Sequence, residues 1–230
     1  MLLFFLPYEK DLLLYINRVH TPFLDHTMWM YSNMWIWMPL VVLLLFNLIY
    51  KKDWRQFLTA VLCIALMFLL CDQFSSHLIK PIIARPRPTH YPGVMEQVRV
   101  LYNYAGGEYG FMSGHATNSF GFVMFTSLLF RNRYYSLVTA FGALLICYSR
   151  IYLGVHFVSD IVAGALFGML IGFLVYRLYA WLISKWEENG LCVSGCIYSC
   201  RQINITSAVM FSYLILTTIC SSFVFTFIKK

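Results

Sequence analysis

This chain is short of charge: only 12% of its 230 residues are Asp, Glu, Lys or Arg, and just 10 of them are acidic. Soluble domains carry about twice that fraction. No paired Cys-x-x-Cys spacing of the kind that holds zinc occurs, although there are seven cysteines. Cys63, Cys71, Cys147 and Cys220 fall in apolar runs and read as small hydrophobes. Cys192, Cys196 and Cys200 recur every fourth residue and are expected to pack along one helix face, so neither a metal nor a cofactor is expected. A secretory leader is also missing. The apolar stretch from Met1 to Leu6 is short, has no basic residue ahead of it, and runs into Pro7 and Glu9-Lys10-Asp11. The net charge of +7 comes without a basic stripe interleaved with stacking aromatics, which argues against nucleic acid. Internal repeats and low-complexity tracts are absent as well.

What remains is apolar. The chain is 60% hydrophobic with a mean hydropathy of +0.68, and its long apolar runs are separated by short polar breaks. That pattern predicts an all-α polytopic membrane bundle, expected to form one membrane domain over 1–230. Residues 8–19 have polar and apolar faces, are too short to span, and are expected to lie along the interface. About six spans are predicted, near 34–50, 54–80, 113–130, 135–152, 157–182 and 207–227. The first five form the core, 34–182, and the last is an extra C-terminal span. Basic residues then serve lipid head groups and topology.

Against this background three polar clusters stand out: Lys80 with Arg87-Pro88, Ser113-Gly114-His115, and Ser149-Arg150 with His156 and Asp160. Ionisable groups near membrane spans are costly and usually functional. Counting crossings brings them together. The second span delivers Lys80 and Arg87 to one face, and the loop 81–112 stays there to open the third span at Ser113. The third span crosses away, the fourth returns with Arg150, and the fifth starts on the same face with His156 and Asp160.

The side chains suit a phosphate. Lys80 is a point charge, while Arg87 and Arg150 are planar forks. Ser113 and Gly114 at a helix start offer unpaired backbone N–H groups. His156 and Asp160 are four apart, so the carboxylate can fix the tautomer and leave the other ring nitrogen free to attack. His115 remains as a general acid. Asp72, Ser76 and Lys80 share a helix face that either supports the site or pairs internally. His20, His26, His77 and His90 lack such company and read as structural. The tyrosines of 89–112 are expected to pack at the interface. Asn204-Ile205-Thr206 matches a glycosylation sequon, a short motif that arises often by chance.

The order Lys80-x6-Arg87-Pro88, Phe111-Met-Ser-Gly-His115 and Ser149-Arg150-x5-His156-x3-Asp160 resembles the type 2 phosphatidic acid phosphatase superfamily over about residues 30–180. The family usually carries proline before the serine of the second motif, where this chain has Met112. The resemblance implies a metal-independent phosphatase in which His156, oriented by Asp160, forms a phosphohistidine. It implies that His115 protonates the leaving group, while Lys80, Arg87, Arg150 and the Ser113–Gly114 amides hold the phosphoryl oxygens. It further implies a lipid phosphate as partner, undecaprenyl pyrophosphate or a lipid A type. Phosphatidylglycerophosphate or phosphatidic acid are alternatives, as is a lipid-phosphate binder or transporter without catalysis. Members acting on membrane lipids present the site at the outer, periplasmic side of a bacterial inner membrane. Excluding the three site cations, basic residues number six on that face against eight on the other, which weakly favours the same orientation.

Overall fold

A computed structural model describes residues 2–50, 53–190 and 198–228. Among them are ten α-helices and no strand: α1 (Leu2–Arg18), α2 (Pro22–Ser32), α3 (Met38–Ile49), α4 (Trp54–Asp72), α5 (Lys80–Ile83), α6 (Gly114–Phe130), α7 (Arg133–Tyr152), α8 (Val158–Glu188), α9 (Cys200–Ile219) and α10 (Ser221–Ile228). Each boundary has a local cause. Thr21 caps α2 ahead of Pro22, and the Asp53 carboxylate accepts from the Arg55 amide at the start of α4. Asn132 accepts from two amides of the first turn of α7.

Four helical stretches are long and apolar enough to cross a membrane: Trp54–Ile83, Arg133–Tyr152, Val158–Glu188 and Cys200–Ile219. With the similar membrane proteins described below, they make this an integral membrane protein. Phe46, Ile49, Leu62, Leu69, Leu166, Leu170 and Leu216 lie exposed around the bundle, the belt expected to face hydrocarbon.

Length and hydropathy alone carry four crossings, or five counting a bent pair, below the expected six. The predicted first span is part of that pair, in which α2 and the helix from Met34 to Ile49 meet at 72°. The Asn33 side chain caps a 3₁₀ turn at the elbow. The third span is α6, 17 residues and about 26 Å long, held between α4, α7 and α8. The sixth begins earlier than 207, at Cys200, and ends at Ile219. The chain then turns and lays α10 against α2, with Phe225 stacked on His26. The N-terminal helix is longer than 8–19 and is docked on protein, with Leu13 and Leu14 buried against Val94, Val98 and Phe157. Cys192 and Cys196 lie outside the described residues; Cys200 is exposed at the start of α9. The Asn204–Thr206 sequon lies inside α9, where Asn204 accepts from Asn132 and Thr206 is buried.

The contact that positions the site is α6 against α8. Gly164, Gly168 and Gly172 recur every fourth residue on α8 and face α6 backbone directly. A Cβ on Gly168 would stand 2.1 Å from the Thr117 carbonyl oxygen, and one on Gly172 would stand 2.3 Å from that of Gly121. Small residues let two helices touch along their backbones. Gly168→Leu therefore forces α6 off α8, because backbone cannot give way as a side chain can. It is expected to destabilise by about 3 kcal/mol, read as a fall in the thermal unfolding midpoint in detergent. Gly107→Ala, where a Cβ meets nothing within 4 Å, should leave the midpoint unchanged.

Candidate active site

The end of α4 does not run on as a simple α-helix. Residues Gln73–Ile79 form a π-helical stretch, and the Lys80 amide bonds back to the Ser75 carbonyl. A π-turn rotates everything after it, so Lys80 leaves the face it shared with Asp72 and Ser76 in sequence. Asp72 and Ser76 instead pair with each other at 3.0 Å in the open. Lys80 Nζ turns towards the start of α6, 4.0 Å from where a Cβ on Gly114 would be.

After α5 the chain takes a left-handed residue, Ala84, and forms a short two-rung ladder. The Arg87 amide donates to the Glu108 carbonyl at 3.0 Å and the Gly110 amide to the Arg85 carbonyl at 2.8 Å. This folds residues 106–110 over the Arg87 side chain so closely that only glycine fits at two places. A Cβ on Gly106, whose φ is +72°, would lie 2.9 Å from Arg87 Nη1. One on Gly110 would lie 3.0 Å from Asp160 Oδ2. Farther along, the loop is tied to the bundle. Asn17 bridges the backbones of Arg99 and Tyr152, and Arg99 forks onto Asp25.

Ser113 caps α6, and its own amide donates to the Asp160 carbonyl at 3.0 Å, locking the α6 and α8 starts together. His115, in the first turn of α6, is exposed and within electrostatic range of Arg150, His156, Arg87 and Lys80. Arg150, at the end of α7, is 2% exposed. One arm donates to Ser32 Oγ and the other to Tyr104 Oη at 2.9 Å, while Nε has no partner among the described residues.

His156 occupies the turn between α7 and α8 and is 1% exposed. Its Nε2 stands 3.3 Å from Arg87 Nη1. A guanidinium has donors only, so Nε2 is the acceptor and the ring proton belongs on Nδ1. Nδ1 faces Asp160 Oδ2 at 3.4 Å. Burial holds the imidazole well below its usual range, and the cations of Arg87, Arg150 and Lys80 lower it further. The ring is therefore neutral at pH 7, with its lone pair turned towards the cations. Burial, then the neighbouring Arg150, likewise lowers Arg87.

All eight residues singled out in the sequence, Lys80, Arg87, Ser113, Gly114, His115, Arg150, His156 and Asp160, thus meet on one face. Three buried or half-buried cations converge there on a neutral imidazole, an arrangement that favours an anion with several oxygens. Others in the site gave little or no sequence signal. Tyr104 and Ser32 hold Arg150, and Arg85, read as an ordinary interfacial anchor, is instead buried against Asp160 and Glu9. The tyrosines of the loop do not simply line an interface. Tyr91 packs edge-on against Phe157 and Tyr102 against Trp29. Among the described residues no group of three His, Cys, Asp or Glu side chains is arranged to hold a metal.

Beside His115 opens an apolar cavity of about 570 Å³ between α3, α6, α7 and α9. It runs from His115 and Ser32 at one end to Phe130 and Tyr135 at the other, about 22 Å along α6.

Three likenesses bear on this geometry. The chain is 41% identical over 183 residues to a lipid A 4'-phosphatase of Porphyromonas gingivalis, covering 80% of this chain and 78% of the relative. It is 35% identical over 182 residues to a lipid A 4'-phosphatase of Bacteroides thetaiotaomicron, covering 79% and 81%. The crystal structure of Aquifex aeolicus LpxE shares the fold with a TM-score of 0.54 at 24% identity, over 73% of this chain and 93% of that one. The family model described as PAP2 superfamily matches residues 60–184, more than half the chain and all three polar clusters. This chain belongs to the PAP2 superfamily, and it is a phosphatase built into the membrane.

Proposed function

We propose that the enzyme removes a phosphate from the head group of an envelope lipid of the lipid A type, through a phosphohistidine at His156. The observation that carries this is the His156 ring: Arg87 marks Nε2 as the free lone pair, and Asp160 faces the protonated Nδ1. Nε2 attacks phosphorus, the ester P–O bond breaks, and His115 gives its proton to the departing lipid oxygen. His115, now neutral, then takes a proton from water. The hydroxide opens the N–P bond, returning Nε2 its lone pair and releasing phosphate. Lys80, Arg87, Arg150 and the amides after Ser113 neutralise the phosphoryl oxygens throughout.

The lipid class is supported by the cavity. Its apolar walls start at His115 and run down the bundle, so a hydrocarbon tail can lie there while the head group meets the cations. The lipid A type is supported by the names of the two bacterial relatives. We place the site at the periplasmic face of an inner membrane. The side itself rests on the weak excess of basic residues on the opposite face.

The test is phosphate release by purified protein in detergent with EDTA, over a panel of lipid A, undecaprenyl pyrophosphate, phosphatidylglycerophosphate and phosphatidic acid. Release is expected in EDTA, and fastest from lipid A. Preference for undecaprenyl pyrophosphate would replace the lipid A assignment, and loss of all activity in EDTA would refute the metal-free route.

A further inference from the structure

The proposed chemistry uses three cations and leaves out a fourth that is as deeply buried as Arg87. Arg85 is 8% exposed, and both arms of its guanidinium are committed away from the phosphate pocket. Nη1 donates to Asp160 Oδ1 at 3.0 Å and to Ser159 Oγ at 2.6 Å. Nη2 donates to Glu9 Oε2 at 2.8 Å, and the Phe157 ring lies under the guanidinium at 4.3 Å. Glu9 closes the figure, since its other oxygen accepts from the Ser159 amide at 2.7 Å in the first turn of α8.

We infer that Arg85, clamped by Glu9 of the N-terminal helix, is a positioning residue of the reaction, fixing the Asp160 carboxylate that orients His156. This rests on the reading of His156 as nucleophile. Asp160 has two oxygens with separate duties. Oδ2 accepts from the Phe157 amide at 3.0 Å and faces His156 Nδ1. Oδ1 belongs to Arg85. Without Arg85, Oδ1 is an unpaired buried charge, and the carboxylate is free to turn and take the imidazole with it. Only a planar fork spans Asp160 and Glu9 at once; an ammonium is a point charge and holds one of them. Glu9 lies 76 positions before Arg85, so docking of α1 completes the site rather than merely covering it.

The test uses the full chain in detergent and a soluble aryl phosphate. Arg85→Ala is expected to lower kcat about 100-fold, the effect of a small misplacement of reacting groups, with KM within about threefold. Glu9→Gln should lower kcat about tenfold, and the double variant should be no slower than Arg85→Ala alone. Arg85→Lys should not restore the rate, whereas millimolar guanidinium added to Arg85→Ala should raise it and leave His156→Ala dead. Should Arg85→Ala not fold, Glu9→Gln carries the test alone. A raised KM with intact kcat would overturn the clamp, as would additive losses or rates insensitive to guanidinium. Wild-type protein that forms no phosphohistidine sinks the underlying reading. Wild-type protein that forms it, with Arg85→Ala and Glu9→Gln at full kcat, sinks the clamp alone.

Discussion

His156→Ala is expected to lower phosphate release by on the order of 10⁴-fold or more, as removal of a covalent nucleophile does elsewhere. The side chain is buried at the meeting point of Arg87 and Asp160, so nothing else in the described site offers a lone pair at the same place. Substrate binding should survive, because Lys80, Arg87 and Arg150 remain, and a retained Kd beside a lost kcat is the measurement that checks it. The protonation state adds a sign. Burial and three cations hold His156 well below its usual range, so it stays neutral as pH falls from 7.5 through 6.5. Phosphoenzyme formation should accordingly hold or rise over that interval. An acidic limb centred near 6.5 would show that His156 titrates as an exposed histidine does, against the geometry. Stability follows the same linkage. The unfolded chain takes up a proton below about pH 6.5 that the folded chain refuses, so this histidine makes the fold less stable as pH falls through that value.

His115→Asn is expected to divide the two chemical steps. With a lipid phosphate the leaving alkoxide needs a proton, so formation of the phosphoenzyme should slow by about 10²–10⁴-fold, the usual size of general acid catalysis. With an aryl phosphate the leaving group needs no acid. Formation then stays fast, but the water that opens the N–P bond has lost its base. Phosphoenzyme should accumulate, visible as a burst of phenolate followed by a slow steady state. His115 is exposed beside the apolar cavity, so the substitution puts no packing at risk. Equal slowing of both substrates with no burst would take His115 out of the acid–base role.

The site was legible in the sequence to the extent that its parts are close along the chain. His156 and Asp160 are one helical turn apart, Ser113 precedes the helix it caps, and the alternation of apolar runs brings three clusters to one face without any coordinates. Contacts across long separations were not legible. Nothing in the run Tyr8-Glu9-Lys10 marks Glu9 as a partner of Arg85, because an isolated acidic residue on an amphipathic helix has the same pattern whether it meets solvent or a buried guanidinium. The π-helical turn at 73–79 left no trace either. It exchanges one register of backbone hydrogen bonds for another, and the Asp72–Ser76–Lys80 spacing suggested a face that the turn then broke.

The C-terminal span shows the opposite failure. Gln202, Asn204 and Thr206 read as loop because they are polar, yet α9 already includes them. Their side chains are satisfied across helices, by Asn47 and Asn132, and a satisfied polar group inside a bundle is not a helix stop. Likewise the bend between α2 and α3 comes from Asn33 capping a new turn, a local choice that hydropathy does not register. Gly106 and Gly110 were noted only as loop residues. Their necessity appears once the Arg87 side chain is seen to pass beneath them.

Phosphoryl transfer through His156 is tested most directly by trapping. Full-length protein carrying His115→Asn is mixed with ³²P-labelled aryl phosphate, quenched in alkali, digested and read by mass spectrometry. One acid-labile, base-stable phosphate on the peptide bearing His156, absent from the same protein with His156→Ala, is the predicted result. Label on another residue, or phosphate released with no labelled protein at any time, would contradict it.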